Sequence, residues 1–331
     1  MLSITVLVLL SKHNPNIHIN IRRIAESGAN ISIVVNGFNS GTAFFLSMLQ
    51  MDFPLVKTFT LDEPLKKCDA RNYAVSVVDT DIIYWIDDDA YFAGDNITLL
   101  QNLFKKYPDV SIIGGPNLTP LESSNEFERL QGIALESEFV SGEMTYRYKS
   151  AGDNSVTSDS RLILCNMAFR REVFTSSGLT FETKLFYAEE NLLITQAINL
   201  GLTALYCPDL IVYHSRRQDF LGLIQQFFNS GYGRGLLPAF SKGTLQWYHL
   251  APAALVVYIC ISFYIVNLFL FLPPVLYYTL NSYPISKKNG GRISGTFKIA
   301  FIAFTIHFAY GTGIIFATIK RLIWKIQKKF S

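Results

Sequence analysis

The stretch Asp81–Ala90, DIIYWIDDDA, joins a short apolar run to three consecutive aspartates, Asp87, Asp88 and Asp89. The apolar part predicts a buried β-strand, because it is short and rich in isoleucine and aromatic residues. Three adjacent carboxylates repel one another, and a hard cation such as Mg²⁺ or Mn²⁺ removes that penalty. Side chains alternate along an extended segment, so Asp87 and Asp89 should share a face while Asp88 points away. Taken alone, the acidic run fits a solvated strand end or a helix N-cap equally well.

The segments around this run alternate between strand-like apolar stretches and helix-like ones. Apolar strands separated by helices indicate a parallel sheet that is covered on both faces. The sequence therefore predicts an α/β fold with a Rossmann-like, mostly parallel sheet. Ligands of such sheets bind at the carboxyl ends of the strands, where the acidic run lies. The other predicted strands of this sheet are ITVLVLLS, NISIVVNG, LVKTFTL and VSIIGGPN.

The composition excludes several classes of protein. The 331 residues carry a formal net charge of +3, which is too small to indicate a nucleic acid partner. The four cysteines lie far apart and match neither a zinc spacing nor a disulfide framework, so we expect buried thiols in a reducing compartment. The apolar N-terminus lacks the basic start of a signal peptide and favours a first buried strand.

The C-terminal third predicts a membrane region over residues 247–322, after an α/β domain over residues 1–240. Residues 243–286 contain no Asp, Glu, Lys or Arg, and about 20 apolar residues suffice to cross a bilayer. We expect about two apolar helices, at 250–280 and 299–319, with Pro273-Pro274 breaking or bending the first. A buried hairpin of a soluble protein is the alternative.

Orientation follows from the basic tail, residues 323–331, and the lysine and arginine just before it. Basic residues favour the cytosolic side, so we expect a cytoplasmic (inner) membrane protein whose first domain faces the cytosol. The loop at 281–298 is also basic, which leaves room for a re-entrant or interfacial segment. Residues 122–159 are polar and weakly periodic, and their second half predicts a mobile loop or lid.

An ordered set of short motifs carries a family resemblance. The motifs run in the order ARN, IDDDA, GGPN, RREVF, EEN, VYH and GYGRG. Together they resemble the family 2 glycosyltransferases of the GT-A fold, in their membrane-attached, exopolysaccharide-type form, over about residues 3–235. The resemblance implies a nucleotide-sugar donor, a divalent cation, Mg²⁺ or Mn²⁺, and an acceptor that is lipid-linked or a glycan.

The resemblance assigns the donor side of the site. Asp87 and Asp89 match the outer acids of the family's D-x-D motif, which binds the metal and reaches the sugar diphosphate, and Asp88 lies between them on the donor side. His214 matches a histidine that completes the metal shell. Taken alone, His214 is more typical of a hydrogen-bonded histidine at a strand end.

Further residues are expected near the nucleotide. Arg71 and Asn72 match the family's RN pair. Asn36 stands where the family usually has an aspartate that contacts the base, which leaves the choice between UDP and GDP open. Arg217 and Arg234 could clamp phosphates, since guanidinium suits them; a basic collar beside anionic lipid explains them equally well.

Glu189 and Glu190 match the family's acidic pair, whose second acid is usually the general base. Adjacent residues on a helix do not face the same direction, so one carboxylate should point into the cleft and the other elsewhere. We favour Glu190 as the base, with Glu189 as the alternative. Two acids at a helix N-terminus are also typical of a simple interaction with the helix dipole.

These assignments predict an inverting, metal-dependent glycosyltransferase that moves a sugar from a nucleotide-sugar to a membrane-associated acceptor. One alternative is a polyprenyl-phosphate glycosyltransferase, whose acceptor is already ionised and needs no base. Another is a non-catalytic membrane scaffold that retains the fold, which the departure at Asn36 favours.

Overall fold

The computed structural model describes residues 2–11, 17–37 and 40–330. The strands are β1 (Ile4–Leu10), β2 (Asn30–Asn36), β3 (Val56–Leu61), β4 (Ile82–Ile86), β5 (Ala90–Phe92), β6 (Val110–Gly114), β7 (Asn117–Leu118), β8 (Ser155–Val156), β9 (Asn166–Arg170), β10 (Thr203–Tyr206) and β11 (Val212–His214). The helices are α1 (Ile17–Ala25), α2 (Ser40–Asp52), α3 (Lys67–Ser76), α4 (Asn96–Lys106), α5 (Glu126–Leu135), α6 (Glu138–Ser141), α7 (Glu172–Thr175), α8 (Glu189–Asn199), α9 (Phe220–Leu236), α10 (Ala251–Ile265), α11 (Leu272–Lys288) and α12 (Ile293–Phe330).

The main sheet has eight strands in the order β3-β2-β1-β4-β9-β6-β10-β8. Strands β3, β2, β1 and β4 are parallel, and so are β6 and β10. Strand β9 runs antiparallel between β4 and β6, and β8 is an antiparallel edge. The predicted mostly parallel α/β sheet is confirmed. The periodicity analysis did not place β9, which comes about 80 residues after β4.

The sheet is buried on both faces, as continuous apolar strands require. In β1, Val6 and Val8 pack into one apolar cluster while Leu7 packs into the other. In β4, Tyr84 and Trp85 divide between the same two clusters. Alternate side chains of one strand therefore anchor the two layers of helices on opposite faces.

A second sheet of three short strands, β5-β11-β7, lies beyond the acidic run. Strand β11 pairs antiparallel with β5, so His214 stands opposite Ala90, and parallel with β7. This pairing brings the end of β11 beside the residues that follow β4. The small sheet therefore positions His214 next to the acidic run.

The chain divides into two compact units, and the division differs from a cut at residue 240. The first unit comprises residues 1–120 and 146–215, and the second comprises 121–145 and 216–331. Residues 121–145 belong to the second unit because α5 and α6 pack on α12 there. Two polar contacts support that packing. The Lys298 ammonium lies 2.6 Å from the Glu126 carboxylate, and His307 Nε2 lies 2.8 Å from the Val140 carbonyl oxygen.

The polar stretch 122–159 begins with a capped helix. Asn125 caps α5: its side chain accepts from the Glu128 backbone N–H, and the Glu128 carboxylate accepts from the Asn125 N–H. Such a reciprocal capping box satisfies two otherwise unpaired donors at a helix start. Further on, in the half expected to be a loop or lid, β8 adds to the edge of the main sheet through β10. The mobility of that half stays a prediction.

The expected apolar stretch 250–280 forms two helices rather than one. Helix α10 ends at Ile265, where Val266 adopts a left-handed conformation with φ of 55°. Helix α11 has proline in its first turn, where the missing N–H is not needed. By length and composition, two helices of the described chain could cross a membrane, Trp247–Ile265 and Ile293–Gln327. This suggests membrane association only weakly.

Glycines in α9 and α12 allow a very close helix crossing. A Cβ added to Gly231 of α9 would lie 2.0 Å from the Tyr310 carbonyl oxygen, and one added to Gly313 of α12 would lie 2.1 Å from that of Phe228. Both neighbours are backbone atoms that cannot move aside cheaply. Gly231 and Gly313 therefore serve packing between these helices.

Candidate active site

The acidic run lies where buried strand β4 gives way to half-buried residues. Asp87 and Asp89 both approach His214, whose Nε2 lies 3.8 Å from Asp87 Oδ2 and 3.0 Å from Asp89 Oδ1. The Asp88 carbonyl oxygen accepts a hydrogen bond from Asn20 Nδ2 at 3.2 Å. The fold thus brings His214 beside two aspartates that lie 125 and 127 positions earlier in the sequence.

These carboxylates repel one another. Burial raises the pKa of Asp87, and Asp89 raises it further. Burial, with Asp89 and Asp87 adding to it, raises the pKa of Asp88 to about 7. A divalent cation would relieve both effects. The donor set also suits an ion: one ligand atom each from Asp87, Cys165 and His214 lie within 4.8 Å of one another.

Glu189 and Glu190 begin α8 after Ala188, which has a left-handed φ of 61°. The two carboxylates have different surroundings. Glu189 is fully buried, and its Oε1 accepts from Lys67 Nζ at 2.7 Å and from the Arg71 guanidinium. Burial alone would raise the pKa of Glu189, but Arg71 and Lys67 outweigh it and hold the pKa below its ordinary value.

Glu190 is half-buried, and its pKa moves the other way. Burial raises it, and the neighbouring Glu189 charge raises it further. One acid of the pair is thus stabilised as a carboxylate within an ion cluster, while its neighbour accepts a proton more readily than an ordinary glutamate. Environments that push two pKa values apart are typical of different roles in acid–base chemistry.

Helix α3 supplies the positive charges of this cluster. Lys67 and Arg71 are four residues apart and so lie on one face of the helix. Burial lowers the pKa of Arg71, but Glu189 reverses the direction and leaves that pKa raised. Lys67 was not among the predicted site residues. Its position four residues before Arg71 is the signal in the sequence that could have identified it.

Comparison with known proteins identifies the family of the chain. Residues 13–177 match the family model described as glycosyl transferase family 2. This chain belongs to the family 2 glycosyltransferases. No curated protein matches its sequence.

Two solved structures are similar to this glycosyltransferase. One is the mannosyltransferase PcManGT from Pyrobaculum calidifontis in complex with GDP-Man and Mn²⁺, at 16% identity and a TM-score of 0.61, with 91% of this chain and 86% of that chain covered. The other is S. aureus TarS, at 11% identity and a TM-score of 0.49, with 94% and 55% covered. The likeness to PcManGT shows the fold alone. The family assignment makes this chain an enzyme rather than a scaffold.

Two asparagines predicted to lie near the nucleotide hold backbone segments of the glycosyltransferase. The Asn36 amide donates to the Leu65 carbonyl oxygen at 2.9 Å and accepts from the Leu65 N–H at 2.7 Å. The Asn72 amide makes the same pair of bonds with Phe181, at 2.9 and 2.8 Å. Each side chain therefore positions a loop, and nucleotide contact by either stays a prediction.

The predicted phosphate clamps belong to the second unit. Arg217 is exposed; its backbone N–H donates to Gln131 Oε1 and its Nε to Gln226 Oε1 at 3.2 Å. Arg234 is buried in α9 and donates to the Thr244 carbonyl oxygen at 3.1 Å. These bonds lie within that unit, so phosphate binding by either arginine stays a prediction.

Cys165 is the residue near the site that the sequence analysis missed. It was expected to be a buried thiol and is 2% exposed. Its place near Asp87 and His214 depends on antiparallel strand β9, which the periodicity did not predict. The signal in the sequence was an apolar run, RLILCNMAF, bounded by arginines.

Proposed function

We propose that this glycosyltransferase transfers a sugar, with inversion, from a nucleotide-sugar to an acceptor at a membrane, and that it requires a divalent cation. The observation that carries the proposal is the presence of two separate acidic sets with different electrostatics. One set, Asp87 and Asp89, gathers around the His214 imidazole, and burial together with the neighbouring Asp89 raises the pKa of Asp87. The other, Glu189 with Glu190, has one neutralised member and one proton-accepting member.

On the donor side, Asp87, Asp89 and His214 would hold the cation. A bound Mg²⁺ or Mn²⁺ supplies Lewis-acid stabilisation of the departing nucleoside diphosphate. The three side chains contribute two carboxylate groups and an imidazole, and both carboxylates lie within 3.8 Å of His214 Nε2. The presence of GDP-Man and Mn²⁺ in PcManGT supports a donor and a metal of the same kind here.

On the acceptor side, Glu190 would take the proton of the attacking hydroxyl. A general base works best when its pKa lies near the working pH, and the pKa of Glu190 is shifted upward. Glu189 cannot share this role, because it is fully buried and engaged by Lys67 and Arg71. A single displacement with one base gives inversion at the sugar carbon.

The C-terminal helices would keep the enzyme beside a lipid-linked or glycan acceptor. The segments Trp247–Ile265 and Ile293–Gln327 have the length and composition of membrane spans. The basic residues at the end of α12 fit the cytosolic side of a cytoplasmic membrane. This orientation places the catalytic unit where nucleotide-sugars are made.

Sugar release from UDP- and GDP-sugars by the purified chain, with Mn²⁺, Mg²⁺ or a chelator, tests the proposal. We expect turnover with one donor that requires a cation and is lost in Asp89→Ala. Full turnover in Asp89→Ala would contradict the metal site. Glu190→Gln separates the acceptors: a hydroxyl acceptor needs the base, whereas a polyprenyl phosphate is already ionised and would keep its rate.

A further inference from the structure

We infer that Cys165 is a ligand of the metal site and makes that site prefer thiophilic divalent cations, such as Zn²⁺ and Cd²⁺, over Mg²⁺. The inference rests on the metal dependence proposed above. It adds a residue and a selectivity that neither the D-x-D pattern nor His214 supplies.

The strand pairing itself places Cys165 at the site. Strands β4 and β9 are antiparallel, with Ile82 opposite Arg170 and Ile86 opposite Asn166. Continuing this register by one residue sets Cys165 opposite Asp87. Directly opposed residues of antiparallel strands have Cβ atoms about 4.5–5.5 Å apart. Both residues directly adjoin these strands, so the register of the sheet places them side by side.

The distances suit a shared ion. The ligand atoms of Asp87, Cys165 and His214 all lie within 4.8 Å of one another. In a tetrahedral site, metal–sulfur and metal–nitrogen bonds of about 2.3 and 2.0 Å put the two ligand atoms about 3.5 Å apart. Side-chain movements of about 1 Å thus bring all three atoms onto one cation.

A buried amide donates a hydrogen bond to the Cys165 sulfur. Asn117 is fully buried, and its Nδ2 donates a hydrogen bond to Cys165 Sγ at 3.0 Å. The thiolate, not the thiol, binds a metal, and an amide donor stabilises the negative charge. A metal-bound cysteine is commonly supported by such an outer hydrogen bond.

The donor types set the selectivity. Carboxylate oxygen suits Mg²⁺ and Mn²⁺, imidazole suits Zn²⁺, and thiolate favours the softer ions. A site with oxygen ligands alone would show little preference for Cd²⁺. Addition of Cys165 to Asp87 and His214 should therefore raise the affinity for Zn²⁺ and Cd²⁺ and leave that for Mg²⁺ almost unchanged.

Binding of Cd²⁺ to the full chain in detergent micelles, without nucleotide, tests the inference. The readouts are the ultraviolet charge-transfer absorption of a cadmium–sulfur bond and calorimetric affinities for Cd²⁺, Mn²⁺ and Mg²⁺. We expect the absorption in the wild type and in Cys260→Ser, which removes an exposed thiol. In Cys165→Ser the absorption should vanish and the Cd²⁺ affinity should fall at least about tenfold, with Mg²⁺ affinity retained.

Two results would overturn the inference. If Cd²⁺ competes with Mn²⁺ for the wild-type site but gives no sulfur absorption, or the same absorption persists in Cys165→Ser, the thiol is not a ligand and the metal site still stands. If no cation binds the wild type, the proposed metal dependence is refuted, and the inference about Cys165 is refuted with it. Thermal unfolding without metal shows whether Cys165→Ser is folded, and Cys165→Ala is the second variant.

Discussion

Neutralising Glu189 should destabilise the fold, whereas neutralising Glu190 should strongly lower the rate of sugar transfer. Glu189→Gln keeps the side-chain volume but removes the charge shared by Arg71 and Lys67. The three side chains are 0%, 10% and 32% exposed, respectively. Lys67 can turn toward water, but Arg71 cannot. Removing one partner of a buried ion pair costs about 3–5 kcal/mol, so we expect a loss of about 3–4 kcal/mol in the free energy of unfolding, mainly from Arg71.

Glu190→Gln is the matched control on the next residue. Glu190 is half-buried, and its charge is disfavoured by burial and by Glu189, so its neutralisation should leave stability unchanged or slightly raised. Loss of a general base lowers a rate by about 10²–10⁴-fold. Glu189→Gln should thus lower stability, whereas Glu190→Gln should lower the transfer rate and leave stability unchanged or slightly raised.

Denaturant unfolding and sugar-transfer rates, measured in the same micelles, give both quantities. The pH dependence of the free energy of unfolding provides a second test of the ion cluster. Because the pKa of Glu189 is lowered in the folded state, its stabilisation is complete above the ordinary glutamate pKa and is lost as the pH falls through the lowered one. Glu189→Gln should lack this acid-dependent loss. A Glu189→Gln variant as stable as the wild type would refute the role of the ion cluster.

Three further outcomes are expected. Asp89→Asn should lose metal binding in calorimetry while Asp88→Asn retains it, and equal losses would show that both face the ion. The pH profile of transfer should fall on the acid side with a midpoint above the ordinary glutamate pKa of about 4.3, because the pKa of Glu190 is raised; a profile flat through that range would contradict its role as base. Gly313→Val puts a Cβ 2.1 Å from a carbonyl oxygen of the facing helix and should cost at least about 1–3 kcal/mol in thermal unfolding, whereas Gly222→Ala, which meets ordinary contacts at 3.4 Å or more, should cost less.

The sequence was sufficient for the parallel half of the sheet, because each of those strands is a continuous apolar run followed by a helix. It was insufficient for β9, because an antiparallel strand inserted from far along the chain leaves no local sign of its partners. Cys165 was missed for the same reason. The pairing of Asp89 with His214 was accessible only through the family motif, since it depends on the register between β5 and β11.

Two other features that were not predicted do have local signals in the sequence. The spacing of Asn125 and Glu128 matches a capping box and marks the start of α5. The spacing of Lys67 and Arg71 on one helix face indicates a shared acidic partner. What no local pattern could reveal is that the partner is Glu189, more than 100 residues later.

The assignment of residues 121–145 to the second unit sets an order of events during synthesis. The last strand of the main and small sheets ends at His214, so the first unit can close while the ribosome is still translating the rest. Helices α5 and α6 leave the ribosome early, but α12, on which they pack, begins only at residue 293. At about 5–20 residues per second, that wait is on the order of ten seconds. A nascent chain paused before residue 293 should therefore present a protease-resistant sheet interrupted by one protease-sensitive insertion.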